Sequence, residues 1–193
     1  MMMARAHLKI LISSLLALSL TSASALTLEG TLNPKTPSGM RVGLFTLGPS
    51  GKPALEVVSS AVRDGKFSLL LPNTPLEARF LGQLTPDAVS WSGVVGVIKV
   101  TGTPKFGELR FFSYSDTNSN AKRDSGETLS ETLAQLGRSS LVLLYLDGPS
   151  KVNADKGFEV SLKAGWNALS IEAGRTVKGT VLERINNLEL NAL

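Results

Sequence analysis

The sequence of 193 residues contains no cysteine and a single histidine, His7. His7 lies in an N-terminal segment that we expect to be removed, so the remaining chain has neither side chain. Serine–histidine and cysteine–histidine nucleophiles are therefore excluded, as are ordinary zinc and copper sites and a lipid anchor on cysteine. Any chemistry must use carboxylate, hydroxyl, amide or lysine groups.

A strong charge of either sign is also missing. The formal net charge is +4, and it falls to +2 once Arg5 and Lys9 are removed with the N-terminal segment. Basic residues are scattered, and Lys122-Arg123 is the only adjacent pair. Neither the charge nor its distribution predicts a nucleic-acid partner or an anionic membrane surface.

Residues 1–25 have the pattern of a secretory signal peptide. Arg5 and Lys9 precede the apolar run ILISSLLALSL, and the small-residue stretch TSASA follows it. The apolar run is shorter than the roughly 20 residues that span a bilayer, and no second long run follows. We therefore expect cleavage after Ala25 and a mature chain from Leu26 without a membrane span. Its expected location is extracytoplasmic: periplasm, cell surface or medium.

Alternation of apolar and polar residues dominates the mature chain. In GFEVSLKAGWNALSIEAG, Phe158, Val160 and Leu162 alternate with polar residues, and a second strand follows Ala164-Gly165. RDGKFSLLLP shows the same pattern after an Asp-Gly turn. Further strands are predicted at 27–32, 41–47, 55–62, 77–82, 93–101, 107–115, 140–147 and 175–183.

Short turns between these segments predict an all-β fold, an antiparallel β-sandwich of about ten strands with little helix. Helical spacing occurs only at 127–136, where Leu129, Leu133 and Leu136 would share one face. We expect one domain over 26–193, and the alternative is a boundary near 83–92.

The first half of the mature chain resembles the carboxypeptidase regulatory-like family, a transthyretin-like β-sandwich. The resemblance rests on LEGTLN, SGMRVGLFTL and AVRDGKFSLLLPNTPLEARFL, and covers roughly residues 26–82. It implies an accessory binding or spacer role in an exported protein and transfers no catalytic residues.

One loop has the spacing of a calcium site. Counted from the first residue of DTNSNAKRDSGE, oxygen-bearing side chains stand at positions 1, 3, 5, 9 and 12. Position 7 supplies a backbone carbonyl in EF-hand loops, and a glutamate at position 12 closes the coordination shell. The loop also resembles calcium loops of bacterial surface β-sandwich proteins. The predicted calcium ligands are Asp116, Asn118, Asn120, Lys122, Asp124 and Glu127.

Two departures from the pattern predict weak binding. Ala121 stands at position 6, where the pattern has glycine, and a left-handed backbone there costs an L-residue about 1 kcal/mol. Lys122 and Arg123 offset part of the carboxylate charge. The alternative is that these polar residues only form turns.

These features predict an exported, non-catalytic cell-envelope module that binds a protein or glycan partner or has a structural role. The alternatives are a carboxylate-based enzyme acting on an extracellular polymer and a small subunit of a surface-protein complex. Trp166 is expected in the core, and Trp91, which has polar neighbours in VSWSG, is expected at the surface.

Overall fold

The computed structural model describes residues 26–33 and 38–193, so the predicted signal peptide lies outside the described residues. Almost all regular structure is β-strand, as predicted. The strands are β1 Thr27–Asn33, β2 Met40–Leu47, β3 Pro53–Ala61, β4 Lys66–Leu70, β5 Gly82–Gln83, β6 Lys99–Thr101, β7 Lys105–Ser115, β8 Ser130–Leu136, β9 Ser139–Leu146, β10 Ser150–Ala154, β11 Phe158–Leu162, β12 Gly165–Ala173, β13 Val177–Leu182 and β14 Ile185–Ala192.

Eleven strands form one large sheet. Its main path is β13-β12-β9-β7-β8-β14-β1-β4, while β2 and β5 also pair with β7, and β3 pairs with β2. A tight turn joins β3 to β4, with a bridge between Arg63 and Lys66. Strands β3 and β4 are the two ends of the strand order β3-β2-β7-β8-β14-β1-β4. The sheet curls along this order, so that β3 and β4 come close together.

The inside of the curl contains the first hydrophobic core. Alternate residues of its strands point inward, including Leu28, Leu44, Leu69, Leu143 and Leu188, and all are at most 1% exposed. This is the arrangement that a period-2 pattern produces when one sheet face is buried.

A second core lies on the opposite face of β9, β12 and β13. There a three-stranded sheet, β11-β10-β6, covers the large sheet. Phe158 and Val160 of the small sheet pack with Leu144, Leu169 and Ile171 of the large one. Strands β9 and β12 thus contribute to both cores, because successive side chains point to opposite faces.

The prediction of a purely antiparallel sheet is wrong at one pairing. Strands β1 and β14 run parallel, with Gly30 opposite Leu188. The two strands come from opposite ends of the described chain, so no hairpin turn determines their relative direction. The sheet is therefore mixed.

The predicted helical segment at 127–136 is also wrong. Ser130–Leu136 is strand β8, with buried Thr132 and Ala134 on one face and Leu133, 42% exposed, on the other. Pairing with β7 and β14 supplies the backbone hydrogen bonds, and tertiary pairing of this kind overrides weak local helix preference.

Two predicted strands are shorter or absent. Segment 77–82 contains a 3₁₀ turn at Ala78–Phe80, and of 93–101 only Lys99–Thr101 is a strand. Gly93 and Gly96 both have a φ of 85°, which interrupts an extended chain.

The surface position predicted for Trp91 is wrong as well. The side chain is 3% exposed and packs edge-on against Phe158, with 6.3 Å between the ring centroids. Trp166 packs against the first core, as expected, and its indole N–H donates a 2.7 Å hydrogen bond to the carbonyl of Pro72.

Candidate functional site

The predicted calcium loop connects β7 to β8, two neighbouring strands of the large sheet. It begins with Asp116, whose N–H donates a 2.9 Å hydrogen bond to the carbonyl of Gly39. The Asp116 carboxylate then accepts two backbone N–H groups further along the loop, from Asn120 at 3.1 Å and Ala121 at 2.9 Å. These bonds fold positions 1 to 6 into a compact turn.

The turn requires a left-handed backbone at two residues. Ser119 has a φ of 60° and Ala121 a φ of 65°. Ala121 is position 6 of the pattern, the position at which the pattern has glycine. Because Ala121 is not glycine, this conformation costs free energy.

The middle of the loop is a network of amide and carboxylate groups. Oδ2 of Asp124 accepts hydrogen bonds from the side-chain amides of Asn118 at 2.7 Å and Asn120 at 2.8 Å. Oδ1 of Asn120 accepts the N–H of Lys122 at 2.8 Å, while the Lys122 side chain is exposed. Lys122 therefore takes part in the loop through its backbone.

The Glu127 carboxylate joins the beginning and the end of the loop by hydrogen bonds. Its Oε1 accepts the N–H of Thr117 at 2.8 Å, and its Oε2 accepts the N–H of Asp124 at 3.0 Å. Glu127 is 6% exposed, so this carboxylate is buried and replaces water with backbone donors. One side chain thus ties the first and last turns together.

The structure brings the six predicted residues into one loop, but it does not gather their carboxylates around one point. Among residues 26–33 and 38–193, no group of three or more His, Cys, Asp or Glu side chains is placed to hold a metal ion. The donor set fits calcium in the type and spacing of its oxygens. Some of these oxygens are already used within the loop, since Oδ2 of Asp124 accepts two amide donors and Oε1 of Glu127 accepts both the N–H and the hydroxyl of Thr117.

Positive charge next to the loop weakens that fit. Nη1 of Arg41, a side chain only 13% exposed, lies 3.9 Å from Oδ2 of Asp116. Arg123 donates through Nη2 to the carbonyl of Glu127 at 3.2 Å. These guanidinium groups offset carboxylate charge that a cation would otherwise use.

Sequence reasoning missed the residues that anchor the loop to the sheet. Glu56 of β3 accepts the Tyr114 hydroxyl at 2.7 Å through Oε1 and the N–H of Arg123 at 3.0 Å through Oε2. The Ser59 hydroxyl donates to the carbonyl of Ala121 at 3.4 Å. Burial is the main cause that raises the pKa of Tyr114 to about 12, and the bond to Glu56 adds to it. No local sequence pattern links these distant positions.

Comparisons of the chain with protein-family models, with curated proteins and with solved structures found no match. The resemblance of residues 26–82 to the carboxypeptidase regulatory-like family therefore stays a prediction. Within the described part of the chain, no helix has both the length and the apolar character needed to cross a membrane.

Proposed function

We propose that this protein is an exported, non-catalytic β-sandwich that serves the cell envelope as a binding or structural module and is stabilised by calcium in residues 116–127. The observation that carries the calcium assignment is the conformation of Ala121, whose φ of 65° occurs at position 6 of the loop. Calcium loops reserve this position for glycine because the chain turns sharply there.

Five side chains and one carbonyl would hold the ion. The side-chain oxygens come from Asp116, Asn118, Asn120, Asp124 and Glu127, and the carbonyl from Lys122. Calcium would supply positive charge that stabilises the closed loop and has no part in a reaction. Because Arg41 and Arg123 already neutralise part of the site, we expect a dissociation constant near the roughly 10⁻⁴ to 10⁻³ M of extracellular modules.

Thermal unfolding of the mature domain tests this assignment. At about a tenfold excess of calcium over its dissociation constant, binding to the folded state alone adds about 1.4 kcal/mol. For a domain of this size that corresponds to a rise in Tm of about 3–6 °C over a chelator control. Magnesium should have a much smaller effect, because it prefers rigid octahedral sites and loses water reluctantly.

Two variants make the calcium test specific. Asp124→Asn keeps the shape of the side chain and should abolish the rise in Tm. Glu159→Gln, at an exposed surface pair with Lys151, should leave it unchanged. If calcium does not change the Tm of the wild-type domain, the loop is only a turn and the metal assignment is wrong.

Export is tested by the N-terminal sequence of the protein recovered from outside the cytoplasm. Leu26 is 6% exposed and its carbonyl accepts the N–H of Leu71 at 3.0 Å, so the folded domain already includes this residue. We expect the reading Leu-Thr-Leu-Glu. An intact Met1 on envelope protein would favour a retained anchor.

One observation favours a carboxylate-based enzyme as the second candidate. Glu108 and Glu131 both contact Arg110, and burial raises the pKa of Glu108. Paired carboxylates in different environments are a common arrangement for acid–base catalysis. Hydrolysis of an extracellular polysaccharide by the purified domain, lost in Glu108→Gln, would establish this alternative over the non-catalytic proposal.

A further inference from the structure

A third apolar cluster lies on the outer face of β2 and β7. It consists of Phe45, Phe112 and Tyr114, with Leu47 and Leu129 packed against them. The three aromatic residues are at most 5% exposed, and Phe45 packs edge-on against Phe112 and Tyr114, with 5.5 Å and 6.5 Å between ring centroids. Alternate residues of β2 and β7 point into the first core, so these rings are buried on the face that points away from it.

The connection between β7 and β8, which includes the last of these five residues, covers the cluster. The N–H of Arg123 donates to Oε2 of Glu56 at 3.0 Å, and the carbonyl of Ala121 accepts the Ser59 hydroxyl at 3.4 Å. The Tyr114 hydroxyl bonds to Glu56 and Ser59 as well, at 2.7 Å and 3.3 Å. These two β3 residues share the outer face with the rings, and β2 lies between β3 and β7. The connection therefore runs from β7 across β2 to β3 and back, over the aromatic cluster.

Few contacts hold this connection to the sheet. Strand pairing ends at Ser115 of β7 and resumes at Ser130 of β8, so the connection contributes nothing to the ladder. Beyond Asp116, the hydrogen bonds that join it to the described part of the sheet are those of Ala121 and Arg123. The other bonds of the loop join its own residues to one another. A segment attached in this way can open locally while the sheet stays paired.

We propose that residues 117–129 form a lid over the aromatic cluster and that calcium in the loop keeps this lid closed. The proposed ligands come from both halves of the lid, from Asn118 to Glu127, so they surround one ion only when the lid is closed. Calcium then binds the closed form alone and shifts the equilibrium towards it. The inference rests on the proposed function and deepens it, because it assigns a regulatory role to the same site.

Opening the lid brings three aromatic rings to the surface. Burial of Phe45, Phe112 and Tyr114 stabilises the closed form, and Leu129 is the apolar residue of the lid that contacts them. Loss of calcium therefore acts beyond the loop, because the outer face of β2 and β7 changes from covered to exposed. The protein presents a different surface with calcium and without it.

The two tyrosines allow a direct test by NMR. The protein has only two, Tyr114 and Tyr145. Tyr145 packs against Trp166, with 5.0 Å between ring centroids, and is not part of the aromatic cluster. In the mature protein labelled with ¹³C-tyrosine, a neutral nitroxide radical broadens the signals of rings that solvent reaches. The Tyr114 ring signals should stay sharp with calcium and broaden with a calcium chelator, whereas Tyr145 should respond equally in both.

A matched pair of variants tests the lid without changing a calcium ligand. Leu129→Ala removes the apolar contact of the lid. At a calcium concentration that protects Tyr114 in the wild type, its signals should therefore broaden in this variant. The dissociation constant for calcium should rise severalfold, because less of the protein has the lid closed. Leu70→Ala makes the same substitution at a 59% exposed leucine of β4, outside the cluster, and should change neither property.

Two results would overturn the lid itself. Either Tyr114 is as protected in Leu129→Ala as in the wild type, or Tyr114 and Tyr145 broaden together, which means that the cluster opens only when the whole domain unfolds. The calcium dependence fails separately. A rise in Tm with calcium but no change at Tyr114 overturns the inference and leaves the metal assignment standing. If calcium changes neither, the metal assignment and the control by calcium both fail, and Leu129→Ala still decides whether the lid exists.

Discussion

The hydroxyl group of Tyr114 donates a 2.7 Å hydrogen bond to Oε1 of Glu56, which lies 58 residues earlier in the chain. Tyr114 is on β7 and Glu56 on β3, and β2 lies between these strands. The bond crosses β2 near Gly43, where a Cβ atom would lie 3.2 Å from Oε1 of Glu56. The other oxygen of Glu56 holds Arg123, so a single carboxylate connects the sheet to the loop.

Replacing the Glu56 carboxylate should loosen the loop at residues 116–127. Glu56→Gln places an amide N–H₂ opposite one of two donors, Tyr114 or Arg123, so one bond is lost. We expect the free energy of unfolding to fall by about 1–3 kcal/mol, the usual cost of a donor left unsatisfied. Amide hydrogen exchange should become faster in 116–127. Glu159→Gln, at an exposed pair, should change stability by less than about 1 kcal/mol, and equal effects of the two variants would contradict the anchoring role.

Relief of the strained residue should have the opposite effect. Ala121→Gly removes the Cβ atom from a backbone with a φ of 65°, so we expect stability to rise by about 0.5–1 kcal/mol and calcium to bind more tightly. Ala54→Gly is the matched control at an exposed position of strand β3, where glycine should destabilise. Denaturant unfolding of both variants checks the sign, and a loss of stability in Ala121→Gly would contradict the account.

The pKa of Tyr114 predicts a loss of stability in alkaline solution. Burial raises this pKa from 10.0 to about 12, so the folded protein holds the phenol proton more tightly than the unfolded chain does. The stability that the protonated Tyr114 phenol contributes is complete below pH 10 and is lost as the pH rises towards about 12. Tyrosinate absorbance should show a late component that Tyr114→Phe removes. Ionisation of Tyr114 at a pH near 10.0, the ordinary pKa of a tyrosine, would refute this expectation.

The parallel pairing of β1 with β14 depends on a residue without a side chain. A Cβ atom at Gly30 would collide with the carbonyl oxygen of Leu188, a backbone atom that cannot move aside alone. We expect Gly30→Ala to lower the free energy of unfolding by about 1–3 kcal/mol or more. Gly82→Ala, where no atom lies within 4 Å, should be nearly neutral. Similar melting temperatures for Gly30→Ala and Gly82→Ala would contradict the requirement for glycine at position 30.

The sequence by itself determined the features that depend on neighbouring residues. Alternation around Phe158 and Val160 produces a strand with one buried face, whatever the partner strand is. The spacing from Asp116 to Glu127 likewise specifies a closed loop, because the bonds that close it join residues at most ten positions apart. The left-handed backbone at Ala121 follows from the same local geometry.

Only the tertiary structure decided which distant segments meet. Leu129, Leu133 and Leu136 have helical spacing, yet pairing with β7 and β14 makes this segment a strand. The Glu56–Tyr114 bond, the parallel β1–β14 pair and the burial of Trp91 join residues from separate parts of the chain. Their positions follow from the way in which the whole sheet curls and packs, and no local pattern encodes that arrangement.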